Sequence, residues 1–239
     1  MFKAVFTAAL LTGLLGGVAI SLVQELTTTP LIFQAEKYES ADASDGQFKL
    51  ASYILAHGEE THVAAGEEQW APENGIERFA YTALANILLG VGFALLLTAS
   101  YSMQSGKING RTGVIWGMAG FAIFTLSPSL GLAPEIPGSM AAELAERQSW
   151  WLAAAASTAL GLWLMIFRKG ALFCTVGLIV IALPHAIGAP HLEEFGGLVP
   201  AELAGQFAAA SIVTGAIFWV MLGWLSGSLY QRHTAKLET

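Results

Sequence analysis

One cysteine, Cys174, in 239 residues allows no internal disulfide and no Cys-rich metal cluster. It lies in an apolar run and reads as a small buried hydrophobe. Charge is scarce as well. Asp, Glu, Lys and Arg make up 12% of the chain, where a soluble domain carries roughly 25%. No nucleotide-cradling G-x-x-x-x-G-K-[ST] is present, and no G-x-S-x-G nucleophile elbow. No nucleophile–base pair can be assembled from the spacing, so the chain reads as non-enzymatic, with no organic cofactor. A net charge of −7 argues against a nucleic-acid partner.

What remains is apolar: 54% of residues are hydrophobic. A membrane-spanning helix needs about 20 mostly apolar residues. Six charge-free runs meet that need, bounded by or contained within Lys3–Glu25, Arg78–Lys107, Arg111–Glu135, Arg147–Arg168, Lys169–Glu193 and Glu202–Arg232. The first has a basic start, but its apolar core exceeds that of a signal peptide and no A-x-A site follows, so it reads as a retained helix. The expected fold is an all-α integral membrane bundle of about six transmembrane helices. It forms one polytopic domain over 1–239, with an acidic extracytoplasmic loop over 25–78.

Charge orients the bundle. With both termini inside, the inner segments hold seven of the eleven Lys and Arg and one of the eighteen Asp and Glu, Glu238. The short inner loops carry Lys107, Arg111, Arg168 and Lys169, against Arg147 alone in the short outer ones, which gives N-in, C-in by the positive-inside rule. The outer face is strongly acidic and would concentrate cations. Gly13/Gly17, Gly113/Gly117 and Gly223/Gly227 are G-x-x-x-G pairs that permit close helix approach. Trp150, Trp151, Trp163, Trp219 and Trp224 lie toward the ends of their runs and read as interfacial belts.

The third and fifth runs end alike, in "SPSLGLAPEIPG" and "LPHAIGAPHLEE". The second and fourth align at Arg78 and Arg147, with Tyr81 opposite Trp150 and Gly92 opposite Gly161. Together these point to a repeat of two helical hairpins related by an axis along the membrane normal. His185 lies within the fifth run, beside Pro184, Gly188 and Pro190. An ionisable group at that depth is a functional candidate, and broken backbone there must be re-satisfied by protein or water. On an unbroken helix His191 would stand about 240° from His185, and a break at Gly188–Pro190 relaxes that. Asn86, Ser127 and Glu135 lie at the other outer ends as oxygen ligands or hydrogen-bonding groups. In the first loop "HGEETH" spaces His57 and His62 as H-x4-H, not as the zinc-protease H-E-x-x-H. Imidazoles beside carboxylates suit Co, Ni, Zn or Cu ions. The candidate metal ligands are therefore His185, His191, Glu135, His57, His62 and Asn86. A short surface helix is expected between Asp42 and Glu60, and a Pro-marked bend at "TTTPLIF".

The segments "SLVQELTTTPLI", "WAPENGIERFAYTALANILLGVGFALLL", "WGMAGFAIFTLSPSLGLAPEIPG", "RQSWWLAAAASTALGLWL" and "LPHAIGAP" resemble, in order, those of the CbtA family of probable cobalt transporters. Trp70, Pro72, Arg78, Glu135, Arg147, Gln148, Trp150, Pro184, His185, Gly188 and Pro190 match its pattern. Family members often carry a denser histidine run before "WAP" than His57 and His62 here. The resemblance implies a multi-pass protein of the bacterial inner membrane. It also implies cobalt as the transported ion, a link to cobalamin biosynthesis, and a one-span, His-rich partner (CbtB). The residues alone leave open a second reading, a non-transporting scaffold that holds a metal-binding partner.

Overall fold

The computed structural model describes residues 2–45, 72–104, 106–191 and 197–235. These residues are all-helical apart from loops, with no β-strand beyond an isolated antiparallel bridge between Ser139 and Gly197. The helices are α1 (Phe2–Leu26), α2 (Thr29–Asp45), α3 (Ile76–Ser102), α4 (Gly110–Phe121), α5 (Leu144–Phe167), α6 (Ala171–Ile187) and α7 (Ala201–Ala235). From α4 the chain continues through a π-helical turn, Ala122–Leu126, into a last α turn, Ser127–Ser129. Four helices, α1, α3, α5 and α7, are long and apolar enough to cross a membrane. With their outward leucines and isoleucines, such as Leu88, Leu152 and Ile166, they mark a multi-pass membrane protein. The 35 residues of α7 extend over roughly 52 Å, more than the ~30 Å hydrocarbon layer requires.

The chain divides into two compact units. The first comprises 1–27, 68–121 and 213–239, and glycine sets its helix contacts. Side chains placed on Gly13 and Gly17 of α1 would overlap the backbones of Val91 and Ile87 on α3, so these two helices touch main chain to main chain. Gly113 and Gly117 of α4 meet Gly223 and Gly227 of α7 in the same way. All three glycine pairs read from the sequence thus sit at helix crossings, where in lipid packing and hydrogen bonds replace the hydrophobic drive. Polar side chains add bonds between and within helices. Tyr101 Oη and Ser226 Oγ lie 2.9 Å apart, and Ser21 Oγ donates to the Gly17 carbonyl at 2.8 Å.

The second unit comprises 28–67 and 122–212. Pro30 stands in the first turn of α2, where its missing N–H costs nothing, so the proline opens a helix rather than marking only a bend. The helix expected between Asp42 and Glu60 overlaps the end of α2, and its remainder lies outside the described residues. Ala35 of α2, Ile136 and Leu203 form a small core, with Leu31, Val199 and Phe207 packed on it. Glu143 caps α5, its carboxylate accepting from the Ala145 N–H at 3.2 Å. Helices α5 and α6 form a hairpin in which Gly161 and Gly177 face each other's carbonyls. The hairpin turns at Gly170, whose φ of +112° favours glycine.

Two sequence expectations change. Trp150 and Trp219 are 8% and 3% exposed, so they are packing residues and not belt residues. Trp219 covers Gly120 and lies 4.6 Å, centroid to centroid, from Phe93. Trp224, at 55% exposure, keeps the outward position. Cys174 is exposed on α6, because an apolar run in a membrane protein has a lipid side as well as a buried one.

Candidate functional site

The second unit gathers the polar groups of the fifth run. Helix α6 carries Pro184 in its last turn and stops at Ile187, where Gly188 takes φ +94°. His185 is half-buried, its Nε2 3.1 Å from Ser127 Oγ. Thr158 of α5 in turn donates to Ser127 Oγ at 2.7 Å. Ser127 and Thr158 are both buried. The arrangement that uses every hydroxyl proton runs from Thr158 to Ser127 to His185 Nε2. In a neutral imidazole that arrangement puts the ring proton on Nδ1. In this state the Nε2 lone pair is occupied by a hydroxyl.

Trp150 lies against this line. Its indole meets the His185 ring edge-on at 5.6 Å, and its Nε1–H donates to the Pro184 carbonyl at 3.2 Å. The same carbonyl accepts the Gly188 N–H at 3.1 Å. Gly131 leaves room for the indole, since a Cβ there would strike the ring. Trp150 also lines an open groove of about 490 Å³, together with Glu146, Ser149, Pro184, Gly188 and His191.

His191 is exposed at this groove. Its Nδ1 lies 2.9 Å from the Ala189 carbonyl. A carbonyl only accepts, so Nδ1 carries the proton and donates it, and in a neutral ring the Nε2 lone pair has no hydrogen-bond partner among the described residues. A backbone carbonyl holding one ring nitrogen is how metal-binding histidines are commonly oriented.

Glu135 is engaged differently. Its Oε2 pairs with Arg147 Nη2 at 2.5 Å. Burial pushes the carboxyl above its ordinary 4.5, and Arg147 opposes the shift without cancelling it. A guanidinium beside the carboxylate disfavours a cation there. Asn86 belongs to the first unit, where its amide donates to Ser21 Oγ at 2.9 Å and Gln24 Oε1 at 2.6 Å. His57 and His62 lie outside the described residues. Among the described residues no three His, Cys, Asp or Glu side chains group closely enough to hold a metal ion. Sequence reasoning missed Thr158, Glu146 and the role of Trp150. A separation of 31 residues between Ser127 and Thr158 carries no local signature.

A broken apolar helix end with a half-buried histidine lies within the segments that carry the family likeness, and the match to the family covers far more than that end. The model for the probable cobalt transporter subunit (CbtA) matches residues 2–231. The chain belongs to the CbtA family. No curated protein and no solved structure matches it. Membership makes the chain a probable component of a cobalt transporter. As such it is a non-enzymatic membrane protein with cobalt as its probable cargo, working with other subunits.

Proposed function

We propose that the chain is the ion-admitting subunit of a cobalt uptake system, with nickel as a second cargo, in the bacterial inner membrane and linked to cobalamin biosynthesis. The observation that carries the reading is His191, whose Nε2 lone pair stands at a groove with Glu146. An imidazole with a carboxylate suits borderline divalent ions over Mg²⁺ or Ca²⁺. The ion collects at the acidic outer face, loads at His191 and passes toward His185. His57 and His62 would assist capture, and Glu135, paired with Arg147, supports the fold around the path, while Asn86 supports the first unit. The topology is six spans, N-in and C-in, with α6 and the 110–129 run as the two shorter spans, and the two hairpins as repeats. A His-rich one-span partner of the CbtB kind would donate or receive the ion. The membrane potential supplies about 2.3 kcal/mol per charge per 100 mV, so roughly twice that for a divalent ion.

The scaffold alternative is favoured by one observation, the occupation of His185 Nε2 by Ser127. Radiolabelled cobalt uptake in cells expressing the chain with its partner separates the two. His191→Ala and His185→Ala are each expected to lower uptake at least tenfold at equal expression. Uptake unchanged in both assigns the path elsewhere, and no uptake with both components present leaves the scaffold.

A further inference from the structure

We propose that Trp150 is the gate between the groove and the His185–Ser127–Thr158 line. Trp150 belongs to both: it lines the groove, and its ring meets the His185 ring edge-on at 5.6 Å. His185 is not part of the groove lining, although its neighbour Pro184 is. In this reading an ion passes from the groove to the half-buried histidine as the indole moves.

The closed position is held by a specific latch, the Nε1–H bond to the Pro184 carbonyl, in addition to packing. That carbonyl keeps its second bond, from Gly188, when the latch opens, so opening strands no buried acceptor. The latch also sits at the end of α6. Gly188 lies close by, with φ +94° and, among the described residues, no atom within 4 Å of where a Cβ would stand. Beyond the indole, Ser127 comes directly after the π turn and precedes Pro128. Wide turns of this kind are found frequently at functional positions. In the closed state Ser127 also occupies the lone pair that an arriving cation would need. Opening of Trp150 and release of His185 by Ser127 are then consecutive events. The ligand class is a hydrated divalent cation that sheds water as it leaves the groove. The direction of passage rests on the uptake reading, but the gate can be tested without transport.

The chain has one cysteine, so Cys174→Ala gives a thiol-free background for the reporter Ser127→Cys. Cells expressing the full chain are treated with a cationic, membrane-impermeant methanethiosulfonate reagent, and the rate of labelling is measured. With Trp150 intact the reporter is labelled slowly. Trp150→Phe keeps a ring but loses the donor, and should label about fivefold faster, the worth of one neutral hydrogen bond in a two-state opening. Trp150→Ala should label faster still, and added Co²⁺ should slow it. Equal rates in the three backgrounds, including no labelling in any, overturn the gate. Trp150→Phe decides the matter if Trp150→Ala is not folded. Gated labelling in a chain that takes up no cobalt keeps the gate and removes the uptake reading.

Discussion

The close approach of α4 and α7 can be tested by adding one methyl group. A Cβ on Gly113 would overlap the Gly223 carbonyl oxygen and stand 3.0 Å from Gly227 Cα. Carbon and carbonyl oxygen need roughly 3.3 Å, so Gly113→Ala must part the two backbones by about 1 Å. A gap of that size forfeits about a quarter to a half of each contact along the crossing, and overpacking of this kind costs about 1–3 kcal/mol. Alanine also favours the helix by about 1 kcal/mol over glycine, which would hide part of the loss. Gly92 of α3 supplies the control, because nothing lies within 4 Å of its Cβ position. Gly92→Ala gains the same helix preference without the clash, so the difference between the two variants isolates the steric term. Thermal unfolding of the purified chain in detergent, followed by circular dichroism, should place Gly113→Ala about 2–12 °C below Gly92→Ala, at about 2–4 °C per kcal/mol for a chain of this size. Equal midpoints would refute the main-chain contact of α4 with α7.

Burial, reinforced by the charge of Glu36, holds the Glu39 carboxyl above its ordinary 4.5. The folded state thus binds this proton more tightly than the unfolded chain. Stability falls as pH rises from the unfolded value through the folded one. Glu39→Gln should raise the unfolding midpoint at neutral pH, with the advantage fading toward pH 4.5, and a constant or inverted difference would contradict the burial of Glu39. Asn86→Ala removes two hydrogen bonds near the membrane, worth about 0.6 kcal/mol each on average. It should lower stability by about 1 kcal/mol and leave cobalt uptake intact. Loss of uptake at equal expression would make Asn86 a ligand.

The parts of this protein that obey local rules could be read from the chain. Charge-free runs became helices because lipid leaves the backbone no other partner, and G-x-x-x-G marked crossings because only glycine lets two main chains touch. The end of α6 at Gly188 was likewise legible in its Gly and Pro residues. Features that depend on partners far along the chain were not. Trp150 looked like a belt residue because its position near a span end is the same whether it faces lipid or a proline carbonyl. Ser127 was visible as a polar group, but its bond to His185, 58 residues on, has no sequence signature. Glu135 looked like a ligand because the sequence did not show that Arg147 reaches it. The π turn over "AIFTL" was invisible, since those residues are equally at home in an α-helix.

That π turn has a consequence for heredity as much as for structure. On an ideal α-helix each residue turns about 100° from the one before, so the direction of Ser127 depends on every residue of the run that precedes it. A π turn carries one residue more than an α turn and so swings all later residues by about 100°. One surplus residue among Ala122–Leu126 thus sets the direction in which Ser127 leaves the helical run, and with it the meeting of Ser127 with Thr158 and His185. Losing any one codon there would leave composition and hydropathy almost untouched. It would nevertheless turn the serine off its partners, a lesion that a tally of conserved residue types would miss.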